Sequence, residues 1–234
     1  EAAPAGPQLS PEFRKAAIPV ETAIKGIREK VKASADATAE IAATEPLLAA
    51  AEAAAKTEDD VYYKSIFRLQ FEDQKIQAVA KGDTAIYRQR EGALVEPLKA
   101  LIAHPKTVPL DRGSYLNRLA EIAYDTKSYA EAARLFEAAR ATGFTNANLG
   151  LNIVRSRVEG GDIAGGLGEM KKLIESDRAA GRQAPEAWYL YARSKTNQAK
   201  MTTEFLEWSR LWVAAYPTAK NWREALVYYA FAGP

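Results

Sequence analysis

The sequence repeats a pattern of large and small residues at an interval of 34 residues. The pairs related by this interval are Trp188 with Trp222, Ala132 with Gly166, Phe136 with Met170, and Ala139 with Leu173. A recurrence of about that length is typical of stacked helical hairpins, because one hairpin cannot bury its apolar face alone. The repeat therefore predicts an all-α chain, built as a right-handed α-solenoid of stacked antiparallel helical hairpins.

The composition is that of an ordinary globular protein, with 234 residues, 47% of them hydrophobic and 26% charged. The 32 basic and 30 acidic residues nearly cancel, which leaves a formal net charge of +2. That charge cannot supply the phosphate neutralisation on which nucleic-acid binding depends. Charged residues interrupt every apolar stretch well short of the roughly 20 residues that a membrane-spanning helix needs. We therefore expect neither nucleic-acid binding nor membrane insertion.

The sequence offers little for catalysis or metal binding. It contains no cysteine, and His104 is its single histidine, so the usual partners for a metal site or a nucleophile and base pair are missing. Neighbouring acids such as Glu72 and Asp73 are explained by helix ends and solvation. The glycine-rich run 160–168 lacks the preceding strand, the lysine and the hydroxyl residue of a nucleotide loop. We expect no enzymatic activity, no metal and no cofactor.

Breaks in the pattern divide the chain into three regions. Residues 1–9 are predicted to be a disordered leader, and residues 10–104 to form long helical hairpins. The two-proline segment that follows is the predicted subdomain seam, and residues 105–234 carry the sharper repeats. The small residues and prolines at the start are typical of a chain whose signal peptide has been removed, so we expect a periplasmic or secreted protein. A chain trimmed at this point would begin in the same way.

Caps, turns and apolar spacing mark eleven helical segments, and we expect a right-handed stack of about nine helices. Ser10 is the N-cap of the first helix, and the Gly82 and Gly161 turns separate later ones. Their approximate ranges are 10–32, 37–55, 61–80, 84–103, 115–125, 129–140, 149–159, 163–178, 185–197, 202–216 and 220–230. The last is unpaired, which indicates either a solvating cap or a longer array. Three glycines inside one predicted helix each cost roughly 1 kcal/mol against alanine, so close packing or mobility must explain them.

Large and small side chains alternate in a constant order on the later helices. They are Leu116, Leu119, Ala120, Tyr129, Ala132, Phe136 and Ala139, and further on Trp188, Tyr191 and Ala192. Over about residues 111–234 this pattern resembles the tetratricopeptide repeat family, in which small residues lie where the two helices of a hairpin cross. Gly161 and Pro217 match the turn and closing positions. Ala123 and Gly166 depart from the pattern, since the family has an aromatic residue and an alanine there.

The resemblance implies a noncatalytic scaffold that binds a protein or peptide on the concave face formed by the first helices. The residues expected on that face are Asn117, Tyr124, Asn148, Asn152, Arg155, Tyr189, Arg193 and Arg223. Amides, guanidinium groups and tyrosines suit an extended peptide, because they bond its backbone and its carboxylates. Asn152 resembles the asparagine with which many members hold a peptide backbone. Lysines that complete a carboxylate clamp in some members are not matched, because Asn117 and Glu186 stand there.

Two further expectations concern the aromatic residues and the context of the chain. The four tryptophans, Trp188, Trp208, Trp212 and Trp222, have the spacing of side chains packed in the core between hairpins more than that of a group that stacks on a ligand.

The alternative function is a helical superstructure domain of a larger cell-envelope enzyme or polysaccharide-handling assembly. The sequence leaves the partner's identity and the oligomeric state open.

Overall fold

The computed structural model describes residues 8–218, and all regular structure in that range is helical. The helices are α1 (Pro11–Lys32), α2 (Thr38–Ala54), α3 (Glu58–Ala80), α4 (Thr84–Arg90), α5 (Val95–Ala103), α6 (Pro109–Asp125), α7 (Tyr129–Ala141), α8 (Leu149–Glu159), α9 (Ile163–Ala179), α10 (Glu186–Gln198) and α11 (Thr202–Ala215). The predicted helix at 220–230 lies outside the described residues. The expected all-α class is confirmed for the described part of the chain.

The chain divides into two compact units. The first comprises Glu1–Lys127 with Glu137–Phe144, and the second comprises Ser128–Phe136 with Thr145–Pro234. The two-proline linker, predicted as the subdomain seam, lies inside the first unit, where α5 and α6 on its two sides pack against each other. A break in the sequence pattern therefore does not mark the unit boundary, because apolar contacts continue across it.

Helices α1, α2 and α3 pack against one another and form the core of the first unit. Ser10 caps α1 as predicted, because its hydroxyl accepts a hydrogen bond from the backbone N–H of Phe13. The fully buried apolar side chains of this core are Phe13, Val20, Ile24, Ile27, Leu48, Ala51 and Phe71. Pro19 and Pro46 lie within continuous helices, so neither proline interrupts its helix.

Asp60 connects the start of α3 to the start of α1. The carboxylate is fully buried and accepts four hydrogen bonds, from the backbone N–H groups of Ser10, Lys56 and Thr57 and from the Ser10 hydroxyl, at 2.7–3.0 Å. Thr57 is the N-cap of α3 and forms a capping box with Asp60. Asp60 therefore takes part in capping α3. It is also a buried connection between two helices.

The predicted helix 84–103 is divided by a 3-10 turn at Glu91–Leu94. Glu91 is only 2% exposed, and its Oε2 accepts a hydrogen bond from Arg118 of α6 at 2.9 Å. Pro97 occupies the first turn of α5, where a backbone N–H has no partner within the helix and its loss costs little. The break in the predicted helix therefore precedes Pro97.

The second unit contains two antiparallel hairpins, α8 with α9 and α10 with α11, and α9 also contacts α10. Their shared core contains Val154, Val158, Leu167, Met170, Ala192, Trp208 and Trp212. Gly166 lies where α9 crosses α8, since a Cβ added there would stand 2.6 Å from Val158 Cγ2 and 3.0 Å from the Val154 carbonyl oxygen. Close packing therefore explains this glycine, which departs from the alanine of the repeat pattern.

We expect opposite effects from alanine at two glycines of α9. Gly166→Ala should lower the free energy of unfolding by about 2 kcal/mol, because the new methyl group overlaps α8. Gly168→Ala should raise it by about 1 kcal/mol, because no atom beyond the adjoining helix backbone lies within 4 Å of the added Cβ and alanine favours helix. Urea denaturation followed by circular dichroism measures both. Equal shifts in the same direction would contradict the crossing at Gly166.

Candidate functional site

Three of the residues expected to bind peptide lie on one face of α8. Asn148, Asn152 and Arg155 follow each other at spacings of four and three residues, which places them on a common side of a helix. Asn148 and Arg155 are exposed, and Asn152 is half-buried. The structure thus presents two amides and a guanidinium group side by side, which we call the α8 face.

Arg193 lies in the second hairpin, against α11. Its guanidinium carbon stands 4.6 Å from the ring centre of Trp212 and 5.3 Å from that of Phe205, and its Nε donates to the Ser209 hydroxyl at 2.9 Å. Such cation–π stacking with a hydrogen bond holds a long side chain in one orientation. Arg193 is therefore a positioned cation at the edge of the α10 and α11 hairpin.

Two adjoining cavities are lined by residues of α10, α11 and the turn between them, and we call the two cavities together the α10–α11 groove. The first, of about 330 Å³, is lined by Leu190, Arg193, Ser194, Asn197 and Phe205. The second, of about 220 Å³, is lined by Thr196, Asn197, Lys200, Met201, Thr202, Phe205 and Leu206. Asn197 and Phe205 belong to both cavities and join them into one surface. The lining includes two cationic side chains and no carboxylate.

Two expected binding residues are buried instead, and the structure corrects them. Tyr189 is 3% exposed, with its ring centre 6.3 Å from that of Trp208 and 5.9 Å from that of Tyr216. Asn117 is buried in the first unit, where its Nδ2 donates to Glu121 Oε1 at 3.0 Å. The prediction had placed both on a free face. Contacts with neighbouring residues bury both side chains. For Tyr189, burying the aromatic ring contributes more free energy than exposing its hydroxyl to water would.

The remaining expected residues do not join the groove. Tyr124 is half-buried in α6 of the first unit, and Arg223 lies outside the described residues. Asn197, which the sequence reasoning missed, is exposed, and its side-chain amide has no hydrogen-bond partner in the chain from 8 to 218. The sequence pattern that could have identified Asn197 is the series Leu190, Arg193 and Asn197. These residues follow helical spacing and lie on the side of α10 away from Tyr191.

A cluster of ionisable side chains lies around Glu91 in the first unit. Arg118 bonds both Glu91 and Glu121, and Arg88 lies 3.4 Å from Asp125. Burial raises the pKa of Glu91 above its ordinary value of 4.5, and the charge of Asp125 acts in the same direction against that of Arg118. Within residues 8–218, no group of three acidic or histidine side chains could hold a metal ion. The cluster connects the 3-10 turn to α6.

Every helix among residues 8–218 is too short or too charged to cross a membrane. Comparison of the sequence with protein-family models and curated proteins, and of the structure with solved structures, finds no match.

Proposed function

We propose that this protein is an exported, noncatalytic scaffold of the tetratricopeptide type, which binds a protein or peptide segment. In this proposal the hairpins are part of a right-handed solenoid, and α8 and α10 are first helices that contribute to its binding face. The α10–α11 groove is the observation that carries the proposal. It combines apolar, cationic and amide groups along about two helical turns of α10.

The lining of the groove suits an extended peptide with acidic and apolar side chains. Leu190 is 40% exposed and, with Phe205 and Leu206, supplies an apolar surface. Arg193 and Lys200 supply positive charge, which attracts carboxylates of the peptide. The Asn197 amide offers a donor and an acceptor to a peptide backbone, as extended-peptide recognition requires.

The α8 face extends the proposed binding surface. Its two asparagines repeat the same chemistry as Asn197, and Arg155 adds a third cation. An extended peptide advances about 3.3 Å per residue, so a segment of several residues is needed to reach from Asn148 to Arg155 along the α8 face. Recognition therefore involves a peptide segment more than a single terminal group, in keeping with the unmatched carboxylate clamp.

The proposal is tested by selecting binders from a library of random ten-residue peptides displayed on phage. We expect the selected peptides to be enriched in Asp and Glu together with Leu or aromatic residues. A synthetic selected peptide should bind the variant Asn197→Ala with Lys200→Asn at least 10-fold more weakly, about 1.4 kcal/mol, and its affinity should fall with salt. Asparagine is chosen at Lys200 because the backbone there has a φ of 57°.

Arg178→Gln is the matched control, because Arg178 is an exposed cation of α9 that does not line the groove. It should leave peptide affinity unchanged. Selected peptides without acidic enrichment, or equal affinity for the groove variant and the wild-type protein, would contradict the proposal. Circular dichroism and thermal unfolding establish that each variant is folded.

A further inference from the structure

Glu91 begins the 3-10 turn between α4 and α5, and its carboxyl group is almost completely buried. The residue is 2% exposed, and its Oε2 accepts a hydrogen bond from Arg118 at 2.9 Å. Its Oε1 is also buried, and no donor among residues 8–218 reaches it. A buried carboxylate oxygen without a hydrogen bond costs free energy, so this oxygen needs a partner that the ionised group does not have.

A second carboxyl group, that of Asp125, acts on Glu91 from α6. Asp125 follows Arg118 by seven residues, about two helical turns, so both side chains leave the same side of α6. Asp125 influences Glu91 through its charge and through a hydrogen bond between the two side chains. Two ionised carboxylates can only accept hydrogen bonds, so this one requires a proton on one of them. The buried oxygen is satisfied when the two carboxyl groups share one proton.

The cations around this pair are fewer than the carboxyl groups. Arg118 divides its guanidinium group between Glu91 and Glu121, at 2.9 and 3.1 Å. Arg88 lies 3.4 Å from Asp125, but its side chain is 60% exposed, so solvent weakens its effect. Three carboxyl groups therefore face two guanidinium groups, one of them largely in water. One bound proton balances the charges.

The other elements packed around the turn do not change this balance. The Tyr87 hydroxyl of α4 donates to Asp73 of α3. Burial and this hydrogen bond raise the pKa of Tyr87 to about 12, so the phenol is neutral while Asp73 adds a further carboxylate. Ion pairs also occupy charged side chains of α3 and α5, namely Arg68 and Lys75 with Glu72, and Lys99 with Glu96.

We propose that Glu91 and Asp125 form a pH-sensitive contact, in which one shared proton holds the 3-10 turn against α6. With the proton bound, one carboxyl group donates to the other. When the proton leaves, Glu91 keeps a buried charge that Arg118 neutralises only in part, and the turn separates from α6. The contact lies within the first unit and does not depend on the α10–α11 groove.

The direction of the pH dependence follows from the pKa of Glu91. Burial, with the charge and the hydrogen bond of Asp125, raises this pKa above its ordinary value of 4.5, against the opposing charge of Arg118. The folded protein therefore binds the proton more tightly than the unfolded chain does. The stabilisation is complete below the ordinary value and is lost as the pH rises through the folded-state pKa. The contact holds at acidic pH and opens at higher pH.

Carboxyl-carbon NMR of the full chain tests the shared proton. The Glu91 signal, assigned through its backbone, is followed from about pH 4 to about pH 9. We expect its midpoint above 4.5 in the wild-type protein. In Asp125→Asn the midpoint should move to lower pH, because the new amide donates to the Glu91 carboxylate without a shared proton. A wild-type midpoint at or below the ordinary value, or an equal midpoint in the variant, would overturn the proposal.

Hydrogen exchange tests whether the proton holds the turn. The backbone N–H of Val95 donates to the Gly92 carbonyl oxygen, so its protection factor reports opening of the turn. After correction for the intrinsic exchange rate, we expect wild-type protection to fall by about 5-fold or more between about pH 5 and about pH 8. The protection in Glu91→Gln should stay constant, because glutamine is neutral and can still accept from Arg118 and donate to Asp125.

Glu96→Gln is the matched control, since its side chain is 83% exposed and the same substitution there removes a charge in solvent. Its protection should fall with pH as in the wild-type protein. Constant protection in the wild-type protein, or an equal fall in a folded Glu91→Gln protein, would also overturn the proposal.

Discussion

Trp212→Ala is expected to lower the free energy of unfolding by about 4 kcal/mol, as for other large aromatic residues removed from cores. Trp212 is 2% exposed within the core of the two hairpins, and its Nε1 donates to Glu186 Oε1 at 2.9 Å. The loss combines the buried ring, the cavity left behind and an unpaired carboxylate. Chemical denaturation followed by far-ultraviolet circular dichroism measures the change.

Two further variants show which part of the tryptophan matters. Trp212→Phe keeps a ring beneath Arg193 but loses the hydrogen bond to Glu186, and it should cost about 1–2 kcal/mol. Trp188→Ala removes a half-buried tryptophan of the same hairpin and should cost clearly less than Trp212→Ala. A loss at Trp188 as large as that at Trp212 would contradict the burial order observed here.

Asp60→Asn is expected to lower the free energy of unfolding by about 3 kcal/mol at pH 7. The asparagine side chain has the same shape as the aspartate. Its NH2 group, however, cannot accept the hydrogen bonds that backbone N–H groups donate to both oxygens of the Asp60 carboxylate. Asp83→Asn is the control, because Asp83 is an exposed N-cap with two backbone donors, and it should cost under about 1 kcal/mol. Thermal and urea unfolding compare the two.

The contribution of Asp60 also depends on pH. Burial alone would raise the pKa of this carboxyl, but the backbone N–H groups of Thr57 and Lys56, with the hydroxyl and N–H of Ser10, hold it well below its ordinary value of 3.8. A depressed pKa stabilises the folded state fully above about pH 4 and progressively less as the pH falls towards the folded-state pKa. The wild-type protein should therefore lose more stability than Asp60→Asn between pH 5 and pH 2. Parallel losses would contradict this role.

The helical hairpins could be predicted because their signals are local. Turn residues such as Gly161, the Ser10 cap and the apolar spacing determine where a helix begins and ends without reference to the rest of the chain. The predicted range 149–159 agrees with α8, and the neighbouring helices agree within one or two residues. The break before α5 escaped prediction, because it involves a buried Glu91 whose partner, Arg118, lies 27 residues further along the chain.

The candidate site could be predicted only in part. Asn148, Asn152 and Arg155 share an exposed face because helical spacing alone places them together. Tyr189 and Leu190 show where this reasoning ends, since the tyrosine is buried and the leucine next to it is exposed. Their order depends on the aromatic rings of Trp208 and Tyr216, which reach Tyr189 from other parts of the chain.

The sequence by itself determined that this protein is helical, where its hairpins turn, and which residues share a side of each helix. The tertiary structure decided which of those sides are covered: it buried Asp60 and Tyr189 and left Asn197 exposed. The reason is physical. Helix formation follows from hydrogen bonds and caps between residues a few positions apart, whereas burial follows from contacts between residues far apart in the chain.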